Sequence, residues 1–171
     1  MLIEIRDRWS DNVIYTCEAA NLKDAVVDAI AKNANLSDAN LRGANLRDSN
    51  ISDANISDAN LSGAKSDFFE ILLRSPKEIA GLRKSLLDGK VDGSIYKGEC
   101  ACLIGTIANV RECNYENLGN GLIPDASRPA ERWFYGIKKG DTPKINQISD
   151  ITVGWLDEFV KLLEMAKTNH D

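Results

Sequence analysis

Histidine is almost missing from this chain: His170 is the only one in 171 residues, one position from the end. That scarcity excludes much chemistry. A cysteine nucleophile needs a neighbouring base to become a thiolate, and a serine triad needs the same proton acceptor. Long apolar runs are missing too. The most apolar stretch, ACLIGTIANV (101–110), is far too short to cross a bilayer. The opening, MLIEIRDRWSD, carries charges where a secretory leader would need an apolar core, so a cytoplasmic setting without export is expected. Charge of one sign is not in excess. Its 21 basic and 26 acidic residues leave a net charge of -5, which argues against direct nucleic-acid or membrane-surface binding. There is no P-loop, no G-x-G-x-x-G and no H-E-x-x-H.

Cysteine is sparse: Cys17, Cys100, Cys102 and Cys113, read as reduced thiols. Cys100-x-Cys102, with Cys113 eleven residues on, is not a standard zinc spacing. These cysteines read as small buried residues beside an apolar helix. No metal or cofactor is expected. The chain reads as non-enzymatic, although its many acids leave carboxylate chemistry open.

What is present is a repeat. Residues 34–63 divide without slip into six five-residue units: ANLSD, ANLRG, ANLRD, SNISD, ANISD, ANLSG. Neither the helix period of 3.6 nor the strand period of 2 gives a repeat of five. A fixed period points to a solenoid in which each unit buries its apolar residue by stacking on its neighbours. Leu36, Leu41, Leu46, Ile51, Ile56 and Leu61 would point inward. Ala34, Ala39, Ala44, Ser49, Ala54 and Ala59 are the small residues that fit beside them. The remaining positions suit a solvated wall with a turn at each corner.

This motif resembles the pentapeptide-repeat family, whose pattern is A-(N/D)-L-x-x. The resemblance implies a short right-handed, four-sided β-helix. With four units per coil, the segment makes about one and a half coils. Stacking would set Asn35 over Asn55 and Asn40 over Asn60 as amide ladders.

The flanks read as follows. IEIRDRW and VIYTCEA form a β-hairpin around Ser10-Asp11-Asn12. NLKDAVVDAIAKN is a helix capped by Asn21, with Leu22, Ala25, Val26, Ala29 and Ile30 on one face, and serves as the lid of the first coil. Ser66-Asp67 starts a short helix, FFEILLR, whose phenylalanines close the other end. Ser75-Pro76-Lys77-Glu78 reads as a capping box for a helix with Ile79, Leu82 and Leu86 buried, ended by Gly89. Residues 100–111 read as a central helix, 112–129 as an irregular connection, 130–144 as a short helix turning at Gly140, and 152–166 as the last helix. The fold class is therefore α+β in two units: residues 1–65 with hairpin, capping helix and solenoid, and residues 66–171 as a mostly helical domain.

The opening hairpin, the helix, the repeat, GECACLIGTIANV and SRPAERWFYGIKKGDTP together resemble small proteins encoded by phages and prophages. That resemblance implies an accessory protein acting in the bacterial cytosol, where it would blunt a host defence. It would do so by occluding a host protein or sequestering a small nucleotide-type ligand. From the residues themselves, the segment around 128–144 is the best ligand candidate. It places Arg128, Arg132, Lys138 and Lys139 around Trp133 and Tyr135, a mixture suited to phosphates and bases. Tyr96 and Glu99, in another loop, are candidates to border the same pocket. The alternative is that Trp133 and Phe134 anchor the core while the charges are solvated. Two further readings stay open: a structural or assembly module forming a homo-oligomer, and a DNA mimic that inhibits a DNA-binding enzyme such as gyrase. Asp38, Asp48, Asp53 and Asp58 are offset by Arg42, Arg47 and Lys65, so the wall is nearly neutral and disfavours mimicry.

Overall fold

A computed structural model of the chain describes residues 1–42 and 61–168. The first repeat unit and most of the second fall within them. The units between 43 and 60, with Leu46, Ile51 and Ile56, lie outside the described residues, as do both proposed Asn ladders and His170.

Strands β1 (Leu2–Arg6) and β2 (Val13–Glu18) form the expected antiparallel hairpin. Its register runs from Leu2 opposite Glu18 to Arg6 opposite Val13, with a bulge after Ile5. Helix α1 (Leu22–Ala31) follows. Asn21 caps it, its side chain accepting from the Asp24 N–H at 3.0 Å. Ala25, Val26 and Ala29 are buried, and Leu22 and Ile30 half-buried, which is the apolar stripe read from the spacing. The chain then returns to the hairpin. The Arg8 N–H donates to Asp38 O at 2.9 Å and the Asn40 N–H donates to Arg6 O at 2.7 Å, around a bridge between Asp7 and Ala39. The hairpin therefore pairs directly with the first repeat turn.

Where the repeat is described, its sequence logic is visible. Leu36, Ala39 and Leu41 are buried, Ala34 is half-buried, and Asn35 and Asn40 are exposed. Each asparagine closes a local turn: Asn35 Oδ1 accepts from the Ser37 N–H, and Asn40 Oδ1 from the Arg42 N–H. Asn33 and Asp38, five apart, both have positive φ, 54° and 58°. Asn and Asp tolerate that left-handed conformation better than most residues. In sequence the same position continues as Gly43, Asp48, Asp53 and Asp58.

The remainder is helical: α2 (Ser62–Arg74), α3 (Ile79–Leu87), α4 (Leu103–Val110), a 3-10 turn at Tyr115–Asn117, α5 (Pro129–Phe134) and α6 (Gln147–Thr168). Helix α4 is buried from Leu103 through Ala108, with α3 and α5 packed against it. Phe68 from α2 meets Phe134 and Trp155 at ring-centroid distances of 5.5 and 6.5 Å, and Phe69 meets Phe159 at 5.0 Å. The two rings pack among these helices, and the solenoid end they were expected to close lies outside the described residues. Among the described residues, no helix is long and apolar enough to cross a membrane.

Three local expectations need correction. Helix α2 starts at Ser62, inside the last repeat unit, so Ser66-Asp67 does not cap it. The carboxylate of Asp67 bonds across to α5 instead. The capping box at 75–78 does not form. The Ser75 hydroxyl donates backward to Ile71 O, and the Glu78 carboxylate is taken by Arg111 Nε at 2.8 Å. Helix α6 starts five residues before 152, because Asn146 Oδ1 caps the Ser149 N–H at 2.9 Å.

Candidate functional site

Helix α5 is short, and its position is set from outside. Pro129 suits the first turn because its missing N–H would be unpaired there anyway. The next N–H, that of Ala130, donates to Asp67 Oδ2 on α2 at 2.9 Å. The other oxygen of Asp67 accepts from Arg128, through Nε at 3.0 Å and through Nη2. On the buried side, Trp133 stacks on Trp155 at 5.0 Å, and its Nε1 donates to Thr152 Oγ1 at 2.9 Å.

The loop from Asp92 to Ala101 faces α5 and is closed on itself. The Cys102 N–H donates to Ile95 O at 2.6 Å, and the Asp92 N–H to Ala101 O at 2.9 Å. Asp92 gathers the Ser94 N–H, the Ser94 hydroxyl and the Lys139 N–H. Gly93 lets this loop lie directly on α5. A β-carbon there would stand 2.0 Å from Phe134 O and 2.5 Å from Tyr135 Cα. Its N–H donates to Ile137 O at 2.9 Å. Gly105 permits a second close approach, to Tyr96 O.

Between these parts lies a cavity of about 150 Å³, lined by Gly93, Ser94 and Tyr96 from the loop, Ala126 from the turn before α5, and Glu131, Arg132 and Tyr135. Arg132 and Tyr135, both singled out from sequence, meet here, and Tyr96 borders the same space. Glu99 is not among the lining residues. Lys138 is not among the lining residues, but its Nζ lies 4.4 Å from the ring centre of Tyr135, which is one of them. Lys139 is exposed, with its N–H on Asp92. Arg128 and Trp133 do not line the cavity. Arg128 is committed to Asp67, and Trp133 is buried in the core.

Glu131 went unnoticed in the sequence. It is 5% exposed, yet it lines the cavity. Its Oε1 accepts a long bond from the Ile104 N–H at 3.4 Å and the Cys102 thiol at 3.8 Å. Burial pushes its carboxyl up to about 7, against the opposing pull of the Ile104 N–H, the thiol and Arg128. The Cys102 thiol, buried beside it, is pushed up to about 12 by burial and by the Glu131 charge. Cys102 is therefore a neutral thiol at physiological pH and a poor nucleophile. Among the described residues, no group of three or more His, Cys, Asp or Glu is placed to hold a metal ion.

A family model described as pentapeptide repeats (8 copies) matches residues 32–65. No curated protein matches the chain, and no solved structure does. The chain thus carries a pentapeptide-repeat segment, which implies a β-helix-type fold there, within a mixed α and β protein. Every residue lining the cavity lies outside the matched segment. The match accordingly describes the scaffold and leaves the cavity to be read from its own chemistry.

Proposed function

We propose that this is a non-enzymatic binding protein that holds a small nucleotide-type ligand in the cavity between the 93–96 loop and α5. The observation behind the reading is Arg132. Its Nη2 donates to Ser127 O, its Nε is buried without a partner, and it pairs with no carboxylate among the described residues. Arg74, Arg83, Arg111 and Arg128 all have carboxylate partners. A guanidinium left partly unsatisfied beside a cavity is suited to an anionic or strongly accepting ligand. Tyr96 and Tyr135 add aromatic surface for a planar group. Lys138, on the Tyr135 ring, offers a second cation. In this reading the repeat is a right-handed four-sided β-helix, capped by the hairpin and α1, that serves as a spacer or assembly surface. In the phage or prophage setting that the whole arrangement resembles, sequestering a nucleotide signal would counter a host defence in the bacterial cytosol.

The test is native mass spectrometry of protein purified from bacteria, repeated after denaturation, together with calorimetric titration of nucleoside monophosphates. A mass released on denaturation with a nucleotide spectrum is the expected result. Arg132→Ala should abolish titratable binding while leaving the melting temperature within about 2 °C, the shift of a surface substitution. Undiminished nucleotide binding by that variant would refute the assignment of the cavity.

A further inference from the structure

Glu131 has too little structural work to explain its burial. A carboxylate taken out of water is normally compensated by cations or several short hydrogen bonds. This one has a single long N–H contact and a thiol, both on Oε1; among the described residues Oε2 takes no hydrogen bond. It sits in a cavity wall next to Arg132. Both residues line the cavity, so a ligand there meets an acceptor group and a donor group.

We propose, resting on the reading of this cavity as a nucleotide site, that Glu131 and Arg132 read the edge of a guanine base, so that the ligand is a guanine nucleotide. Guanine carries two adjacent donors, N1–H and the 2-amino group, followed by the O6 acceptor. A carboxylate accepts from both donors, and a neighbouring guanidinium donates to O6. Adenine presents a donor and an acceptor on that edge, and the pyrimidines lack the adjacent pair of donors. Tyr96 and Tyr135 add aromatic lining beside the base, and Lys138, on the Tyr135 ring, is a cation within reach of a phosphate. The volume of about 150 Å³ is well below the roughly 300–1,000 Å³ that encloses a whole drug-sized ligand, so it admits one ring system and leaves sugar and phosphate outside.

Only the ionised carboxylate can accept from both donors, so binding follows the protonation of Glu131. The groups that act on it are the Cys102 thiol at the start of α4, Arg128 at the start of α5 and Asp67 on α2, with Arg132, Tyr96 and Tyr135 sharing the cavity. Because its carboxyl lies near 7, affinity should rise between pH 6 and pH 8.

The experiment is calorimetric titration of the full chain with guanosine 5′-monophosphate and adenosine 5′-monophosphate at pH 8, then with the guanosine compound at pH 6. The guanosine compound should bind at least about tenfold tighter, because an analogue that leaves a buried polar group unpaired is strongly rejected. It should weaken about tenfold at pH 6, as protonation removes most of the ionised carboxylate. Glu131→Gln should abolish both the preference and the pH dependence. Glu131→Asp, with its melt recorded, covers misfolding of the glutamine variant, and the pH arm needs no variant. Equal binding of the two nucleotides, both lost in Arg132→Ala, would overturn the guanine assignment and leave the cavity reading standing. Guanosine binding indifferent to pH and to Glu131→Gln would also overturn it. Binding of neither nucleotide would overturn both.

Discussion

Asp67→Ala should loosen α5 more than any other single change on the surface of α2. One carboxylate there performs two tasks. It neutralises Arg128, and it takes the Ala130 N–H, which has no acceptor within its own helix. The side chains of Arg128 and Asp67 are 18% and 13% exposed, so water replaces the lost partner poorly. Breaking a fully buried pair costs about 3–5 kcal/mol, and losing an exposed one about 0–1 kcal/mol. Glu70, 3.7 Å from Arg128, remains as a weaker partner. The expected loss is therefore about 3 kcal/mol, near the lower end of the buried range. For a chain of this length that lowers the melting temperature by about 6–12 °C. Urea unfolding monitored by tryptophan fluorescence measures it well, because Trp133 on α5 and Trp155 on α6 are stacked in the core. Arg128→Met added to Asp67→Ala should recover about half of the loss, since the unpaired charge is then gone. A loss below about 1 kcal/mol, or strict additivity of Asp67→Ala and Arg128→Ala, would refute the view that this pair holds α5 in place.

Gly93→Ala should cost more than about 3 kcal/mol and abolish ligand binding, because its β-carbon meets α5 backbone atoms that cannot rotate away; a well-folded, binding variant would exclude the close approach. Glu131→Gln should gain stability relative to the parent as pH rises. The native carboxyl is raised, so its stabilising contribution is complete below the unfolded value near 4.5 and is lost as pH climbs to about 7. At about 1.4 kcal/mol per pH unit that window is worth about 3 kcal/mol, and parallel denaturation curves for the two proteins at pH 4.5 and pH 8 would expose a flat difference. In the repeat, Asp38→Gly should be tolerated, whereas Asp38→Val, forced to a φ of 58°, should cost about 1–2 kcal/mol in the same urea assay.

The parts legible in the sequence were those fixed by local chemistry. Asn21 followed by a stripe of apolar residues gave α1, and Ile79, Leu82 and Leu86 gave the buried face of α3. Within the repeat, the apolar and small positions were readable from the period. The corners at Asn33 and Asp38 are residue types that tolerate a positive φ, and in sequence the same fifth place holds Gly43, Asp48, Asp53 and Asp58. The parts that escaped depend on partners distant in sequence. Ser75 and Glu78 have the pattern of a cap, but Arg111 is a better partner for the carboxylate than a helix N–H. The last helix begins at Gln147, ahead of the 152 expected from its apolar face. Ser149 and Thr152 are fully buried, and the Thr152 hydroxyl is satisfied by Ile148 O at 2.6 Å. Arg132 and Tyr135 could be nominated for a site from composition, while Arg128 and Trp133 could not be separated from them until Asp67 and Thr152 were seen to occupy their polar atoms.

Glu131 illustrates the limit most sharply. In SRPAERWF it reads as an ordinary acid in the first turn of a helix, where a negative charge is favourable and exposure is usual. Its true setting is made by residues far away. Gly93 brings the loop onto α5 and Gly105 brings Tyr96 onto α4, in the part of the fold where Glu131 is almost wholly buried. A hydrophobic residue at 131 would fill this place without the stability penalty that an ionised carboxylate carries near pH 8. Its single N–H contact, at 3.4 Å, is far too weak to offset that penalty. Arg128, a cation that acts on it, is already held by Asp67. The fold therefore bears a costly group whose second oxygen takes no hydrogen bond among the described residues, in the wall of a cavity whose guanidinium is also incompletely satisfied. Two polar groups kept in this condition in one cavity wall are better explained by a ligand that satisfies both than by the packing of the empty protein.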